Sequence, residues 1–293
     1  MNLFTDLEEI VKHNEPMAKH TWFRLGGPAR YFFEPRSEEE LLKIVRRCHE
    51  NEVEMYVLGR GSNLLVADEG IDGAVIRLHM PAFSRITIEN DVVRAGAGVE
   101  LSELVRRCAR EGLSGFECMA GIPGSVGGAV MINAGGRFGD IGNVANSIRL
   151  MDSSGFCFER DRNDIYFGYR MTNIMAKFIL EAEFGLVPEN PERIAKMLKE
   201  ISMLKKNSQP LSSRNAGCIF KNPRALSAGA LIDKAGLKGT SVRAARISET
   251  HANFIVAEEH ATTKDVLELI ELVQSRVYER FDVNLELEVV VWK

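Results

Sequence analysis

The sixteen residues from Gly121 to Gly136, GIPGSVGGAVMINAGG, constrain this chain more than any other stretch. Six of the sixteen are Gly (121, 124, 127, 128, 135 and 136), against 25 in 293 overall, so backbone is bare here far beyond the background. Glycine tolerates positive φ and carries no Cβ, which lets consecutive N–H groups converge on an anion or on the polar edge of a planar ring. Phosphate or flavin is the natural guest. A mobile linker can be as rich in glycine, but linkers are polar, and this stretch holds Ile122, Val126, Ala129, Val130, Met131, Ile132 and Ala134. It reads as a packed loop.

A chain of 293 residues is too long for one ordinary core and points to two or three domains. With 45% hydrophobic and 27% charged residues it has the composition of a globular protein. No apolar run approaches the roughly 20 residues that span a bilayer, and the N-terminus, MNLFTDLEEIVKH, is acidic with no apolar signal core. A cytoplasmic protein without membrane insertion is expected. Cys48, Cys108, Cys118, Cys157 and Cys218 are odd in number and form no CxxC pair, and the histidines fall in no metal-ligand spacing. Neither a disulfide framework nor a metal site is expected.

Charge is more informative once it is located. Between Lys199 and Arg246 ten cations stand against two anions, a net of +8 in a chain of net −4, which leaves −12 for the remainder. A basic segment in an acidic protein points to an anionic ligand bound locally. Nucleic acid is the competing partner, but the segment holds one aromatic residue, Phe220, and no stacking platform or nucleic-acid motif. A small phosphorylated substrate fits better.

Taken in order, a short N-terminal helix pattern precedes a turn at Gly26-Gly27-Pro28 and a strand at Arg30 to Glu34. Ser37 and Glu40 have the spacing of a capping box, and Leu41, Val45 and Cys48 follow at helical intervals. Val53 to Leu58 reads as a strand running into GRGSNLLV, Gly59 to Val66, a plausible second anion cradle that is neither a Walker A sequence nor GxGxxG. Strands follow at Ala74 to Leu78, Arg85 to Glu89 and Val92 to Ala95, the last two joined at Asn90-Asp91. A helix through Leu101, Leu104, Val105 and Cys108 is stopped by Gly112. Beyond the glycine-rich centre come a hairpin, Ser147 to Asp152 with Phe156 to Arg160, and a strand, Phe178 to Leu186. Helices inserted among hairpins, without strict βαβ alternation, indicate α+β.

A boundary is expected near Val187 to Pro191, where two prolines and Asn190 interrupt the pattern. An amphipathic helix through Ile194, Met197, Leu198, Ile201 and Leu204 follows. Then come strand-like Cys218 to Lys221, helix Leu226 to Ala235, strand Asn253 to Ala257, helix Thr263 to Arg280 and strand Leu285 to Val291. This is a second α+β unit.

Several motifs stand in a joint order that resembles one family. They are Gly59 to Val66, Gly121 to Gly136, Tyr169-Arg170, GCIFKNP (Gly217 to Pro223), AGLKG (Ala235 to Gly239), HANFIV (His251 to Val256) and LELEV (Leu285 to Val289). Together they resemble the UDP-N-acetylenolpyruvoylglucosamine reductases, from about residue 15 to the C-terminus, and the compact length is similar to the shorter of the family's two types. The resemblance implies an FAD-binding domain of the vanillyl-alcohol-oxidase (PCMH) type in two lobes, 1–80 and 81–187, and a substrate-binding domain, 188–293. It implies that noncovalent FAD is held by Gly59, Arg60, Gly61, Ser62, Asn63 and Leu64 at the pyrophosphate. Along the flavin it implies Gly121, Ile122, Pro123, Ser125, Gly127 and Gly128, with Asn133 and Ala134 nearby. By the same matching Arg170, Cys218 and Glu288 take the positions of the catalytic trio, and Tyr169, Arg214, Lys221 and Asn222 those that bind substrate.

The implied chemistry suits those residue types. Hydride addition to an enolpyruvyl ether needs the adjacent carboxylate to take up negative charge, and a fixed, forked cation such as Arg170 stabilises that aci-carboxylate. A salt bridge at a strand end is the structural alternative for Arg170. Glu288 lies in an apolar strand, where desolvation raises a carboxyl's pKa and makes it a donor or proton relay. Glu286 shares its face by the two-residue period, so the choice of Glu288 rests on the resemblance. The family usually carries Ser where this chain has Cys218. A thiol, with an ordinary pKa of about 8.5, can deliver the proton to the carbon beside the carboxylate, but a neighbouring Arg170 or Lys221 would promote the thiolate, which does not donate.

The expected activity is therefore ping-pong reduction of UDP-N-acetylglucosamine enolpyruvate to UDP-N-acetylmuramate, with NADPH as hydride donor and the +8 segment meeting the UDP diphosphate. Two rivals are an FAD-dependent oxidase or dehydrogenase of another substrate on the same scaffold, and a non-catalytic nucleotide-sugar binding protein.

Overall fold

The computed structural model describes residues 3–224 and 226–293. The chain forms two compact units. The first comprises Met1–His13, Tyr31–Arg60 and Asp72–Leu204; the second, Asn14–Arg30, Gly61–Ile71 and Lys205–Lys293.

The first unit holds two hydrophobic cores. One forms around helix α1 (Glu38–Glu50), whose Leu41, Ile44, Val45 and Cys48 recur on one face and are completely buried with Phe33, Ile76 and Phe178. Each such aliphatic side chain contributes about 1.5–3 kcal/mol relative to exposure. Ser37 caps α1 by accepting from Glu40 N (3.2 Å). The return half of the expected box is displaced by one residue, since the Glu40 carboxylate accepts from Arg36 N at 2.7 Å and grips the Arg36 side chain as well. A four-stranded sheet runs in the order Val11–Pro16, Pro28–Phe33, Ile71–Arg77, Met55–Leu58, with the last two parallel. The expected N-terminal helix is one 3-10 turn, Thr5–Leu7, followed by the first of these strands. Pairing across the sheet and the Lys12–Glu34 ion pair (2.7 Å) override a weak local propensity there.

The other core lies under an antiparallel five-stranded sheet, ordered Cys157–Asp161, Ala145–Met151, Phe178–Gly185, Val92–Gly96, Ile86–Glu89. Helices α2 (Leu101–Arg110) and α3 (Val126–Met131) pack into it through Leu101, Leu104, Val105, Cys108, Val126 and Val130. Helix α4 (Pro191–Ser208) starts where the proline pattern breaks, yet through Leu204 it belongs to this first unit. Ile194 and Ile201 are buried and Leu198 packs against the same core, a stripe too narrow to cover Met197, Met203 or Leu204, which are exposed.

The second unit is built on helices α5 (Ala228–Lys234) and α6 (Thr263–Phe281) and a three-stranded antiparallel sheet of Ser241–Val242, Ala245–Ile247 and Ile255–Ala257. Val266, Leu269, Val273 and Val277 give α6 its buried face. Thr262 and Asp265 close a capping box at its start. Asp68 adds a second cap by accepting from Thr263 N (2.9 Å) and Lys264 N (3.0 Å), so orphan donors of the first turn are paired. The C-terminal strand Val290–Trp292 lies parallel to Leu64–Val66. Among the described residues no helix is long and apolar enough to cross a membrane, and no group of three or more His, Cys, Asp or Glu could hold a metal ion.

Candidate active site

In the first unit the glycine-rich stretch forms a turn, the short helix α3 and a second turn. Ser125 caps α3, accepting from Gly128 N at 3.3 Å, and Gly127 N donates to Ala97 O at 2.9 Å. Ile122 packs against the core and its N–H donates to Met119 O, while Pro123 is half-buried and Ala134 buried. Gly121 and Gly128 are exposed, so bare main chain faces outward on both sides of the packed segment. Gly59, from the other glycine turn, lies against this one: a Cβ there would fall 2.7 Å from Ser125 Oγ. Two stretches more than sixty residues apart in sequence thus meet. Arg60 pairs with Glu100 at 3.2 Å.

A cavity of about 240 Å³ behind Gly121, lined by Val105, Arg106, Met119 and Leu198 among others, is smaller than the roughly 300 Å³ and upward of ligand pockets. It is not a dinucleotide site. The glycine turns are the better match to an anionic cofactor: neither contains a carboxylate, and main chain without side chains is exposed at Gly121 and Gly128.

Arg170 sits at the tip of a hairpin, Phe167–Gly168 with Met171–Thr172, at φ 55°, a left-handed conformation uncommon for arginine. Three hydrogen bonds bolt this hairpin to the end of the glycine-rich stretch. Thr172 Oγ1 donates to Met131 O (3.0 Å), Asn133 Nδ2 to Gly168 O (2.8 Å) and Arg170 Nη2 to Gly135 O (2.8 Å). Asn133 is itself left-handed (φ 46°) and buried, and its Oδ1 accepts from Gly142 N at 3.0 Å. The Arg170 guanidinium lies 5.4 Å from the ring of exposed Tyr169. Sequence reasoning missed this clamp; asparagine within a glycine run, a residue tolerant of positive φ, was the available signal.

In the second unit Gly61 O accepts from Trp22 N (3.0 Å), and Leu64 begins a buried strand. Asn63 is committed to the C-terminal segment: its Nδ2 donates to Glu288 O (3.0 Å) and its carbonyl accepts from Val290 N (3.1 Å). Glu288 N in turn donates to Ile219 O at 2.8 Å, and Phe220 bridges to Leu287. Half-buried Cys218 and Glu288 are thereby carried on adjacent extended segments. Glu286, indistinguishable from Glu288 by period, is separated from it here: it is exposed and pairs with Lys221 Nζ at 3.5 Å, while Lys221 N donates to Glu286 O at 2.8 Å. Asn222 Oδ1 accepts from Ala228 N at 3.0 Å, and the carbonyl of half-buried Arg214 accepts from Ala257 N at 2.9 Å. The expected site residues therefore divide: Gly59, Arg60, the glycine-rich stretch, Tyr169 and Arg170 belong to the first unit, and Gly61 to Leu64, Arg214, Cys218, Lys221, Asn222 and Glu288 to the second.

The basic segment is less unbalanced than its sequence. Arg243 pairs with Asp265 and, at 2.7 Å, with Glu268; Arg246 pairs with Glu258 (2.5 Å) and Lys238 with Asp233 (3.0 Å). Burial raises the Asp265 carboxyl, but hydrogen bonds from Arg243 and from Thr262 outweigh that and hold it below its usual range. Among the remaining cysteines, burial pushes the thiols of Cys48 and Cys108 up to about 12.

Two glycine turns that meet on an α+β scaffold, with a second α+β unit carrying Cys218 and Glu288 on adjacent segments, suit a two-part flavoprotein, and comparison with known proteins agrees. Residues 29–159 match an FAD binding domain, and residues 209–292 match the UDP-N-acetylenolpyruvoylglucosamine reductase C-terminal domain. The UDP-N-acetylenolpyruvoylglucosamine reductase of Clostridium kluyveri is 39% identical over 97% of this chain and 93% of its own. That of Syntrophobacter fumaroxidans is 41% identical over 98% of this chain and 86% of its own. The crystal structure of UDP-N-acetylenolpyruvylglucosamine reductase from Thermus caldophilus superposes with a TM-score of 0.83 at 39% identity, covering 95% of this chain and 97% of that one. The chain belongs to the UDP-N-acetylenolpyruvoylglucosamine reductase family and is a flavin-dependent oxidoreductase.

Proposed function

We propose that this protein reduces UDP-N-acetylglucosamine enolpyruvate to UDP-N-acetylmuramate in cytoplasmic peptidoglycan precursor synthesis, with NADPH as the hydride source. The observation that supports this most directly is the hydrogen bond from Glu288 N to Ile219 O, which keeps a proton-donating thiol and a carboxyl on neighbouring segments. Bound FAD supplies the hydride relay between nicotinamide and the enolpyruvyl double bond. The turns Gly59 to Leu64 and Gly121 to Gly128, with Asn133 and Ala134 nearby, would hold it noncovalently. The first turn belongs to one FAD-binding lobe, 1–80, and the second to the other, 81–187, and residues 188–293 take the substrate.

Arg170 stabilises the negative charge that builds on the substrate carboxylate as the double bond accepts hydride. Its five N–H donors allow one nitrogen to hold Gly135 O while the fork still presents charge. Cys218 then donates its proton to the carbon beside that carboxylate, and Glu288 supports the charge and relays the proton. Tyr169, Arg214, Lys221 and Asn222 hold the UDP-sugar.

The test is anaerobic. The purified yellow protein is reduced with NADPH, UDP-N-acetylglucosamine enolpyruvate is added, and flavin absorbance is followed. Prompt reoxidation with formation of UDP-N-acetylmuramate is expected. Flavin that stays reduced would mean a different acceptor and would favour an oxidase or dehydrogenase; a protein that binds the UDP-sugar tightly without flavin would be a non-catalytic binder.

A further inference from the structure

Asn253 belongs to the HANFIV motif and has no part in the chemistry just described. The segment from Cys218 to Lys221 has two edges. On one edge Ile219 O accepts from Glu288 N (2.8 Å) and Val289 N (3.3 Å), and Lys221 N donates to Glu286 O (2.8 Å). On the other, a single residue does the work of a neighbouring strand. Asn253 O accepts from Ile219 N (2.9 Å), its Oδ1 accepts from Phe220 N (2.9 Å), and its Nδ2 donates to Phe220 O (2.8 Å). Asn253 is 3% exposed and Phe220 1%, so water does not compete for either peptide group.

We infer that Asn253 is a positioning residue whose carboxamide, acting as a one-residue strand, holds Cys218 in register with Glu288. The inference rests on the reading of Cys218 as proton donor. The side chain fits this task because an amide alone offers one donor and one acceptor in the spacing of a peptide group. An aspartate of the same shape keeps the acceptor and, while ionised, loses the donor, setting an oxygen against Phe220 O. Protonation restores a donor, and a buried carboxyl facing a carbonyl titrates above its ordinary range.

The experiment uses Asn253→Asp holoprotein and reads alkylation of Cys218 by iodoacetamide, followed by peptide mass mapping, across pH 5.5 to 8.5. Loss of one buried hydrogen bond is expected to raise the rate at Cys218 about tenfold over wild type at the alkaline end. That ratio should fall toward one as the pH drops. Wild type is the control for the neighbouring His251, whose Nδ1 accepts from Asn253 N at 3.3 Å and whose burial lowers its pKa. If Asn253→Asp does not fold, Asn253→Ser, with one hydroxyl for two peptide groups, is read the same way and should show the tenfold increase without the pH-dependent recovery. Rates equal to wild type at every pH, in whichever variant folds, overturn the inference. Its failure is distinct from failure of the catalytic reading: a fully active Cys218→Ala would remove the proton-donor role while leaving the alkylation result intact.

Discussion

The hairpin bearing Arg170 and the segment bearing Cys218 are both fixed through a buried asparagine, but they face opposite problems. In the first unit a six-residue helix, α3, ends at Met131, and Thr172 donates to Met131 O, the last carbonyl of that helix. Beyond the helix end Arg170 reaches Gly135 O, while Asn133 joins Gly168 O to Gly142 N. In the second unit the missing element is an entire neighbouring strand, and Asn253 replaces it with both main-chain and side-chain groups. The first arrangement makes the Arg170 side chain part of its own clamp. The second leaves the thiol out of the clamp and fixes the main chain beneath it.

That contrast implies a difference in how the two sites tolerate substitution. The largest expected effect is at Cys218. Cys218→Ala should slow flavin reoxidation by the enolpyruvyl substrate by about 10²–10⁴, the usual worth of a positioned proton donor, with reduction by NADPH unchanged. Cys218→Ser should retain most activity and its main-chain geometry, because the clamp lies elsewhere. Separate stopped-flow measurement of the two half-reactions decides it, and an active Cys218→Ala removes the proton-donor role.

At Arg170 charge and clamp coincide. Arg170→Ala should cost about 10²–10³ in reoxidation, comparable to losing one transition-state donor, and Arg170→Lys should recover only part of this because an ammonium lacks the fork that reaches Gly135 O. Lysine restoring full activity would show that geometry at this hairpin matters less than charge, and the contrast drawn above would fail on that side.

Asn133 tests the clamp without touching the charge. Asn133→Ala leaves buried Gly142 N unpaired at about 1–3 kcal/mol, removes the partner of half-buried Gly168 O at up to about the same cost, and adds strain at φ 46°. A destabilisation of about 2–5 kcal/mol in urea unfolding is expected. Asn133→Gly should recover only the conformational part. A loss below about 1 kcal/mol would mean that water or a shifted loop satisfies those groups.

How much of this was legible depended on what each region needed from its residues. A close approach of backbone needs glycine, and glycine clusters are visible, so Gly59 and Gly121 to Gly136 stood out and do meet. Helix faces were visible for the same reason, as the 3.6-residue spacing of Leu41, Val45 and Cys48 is a local property. The asparagine clamps were not. Asn133 and Asn253 act on residues thirty-odd positions away in sequence, and nothing local separates a buried bidentate asparagine from one in a surface turn. Cys218 and Glu288 emerged only by resemblance, since Glu286 and Glu288 share a face by period and their different burial is a property of the fold.

The basic segment is where a correct count was least informative, and it carries the smallest expected effect. Net charge by sequence window ignores partners from outside the window, and Asp265, Glu268, Glu258 and Glu286 all lie beyond Arg246. Arg246 and Glu258 are each about half exposed and 2.5 Å apart. A pair of that kind is screened by solvent and contributes about 0–1 kcal/mol. A double-mutant cycle of Arg246→Ala with Glu258→Ala should therefore give a coupling below about 1 kcal/mol, and Arg246→Ala should leave the KM for the UDP-sugar within about twofold. A KM raised tenfold or more by Arg246→Ala, with no such rise in the double mutant's background at high salt, would return the diphosphate to this part of the segment. It would also mean that Glu258 is a resting partner that the substrate displaces.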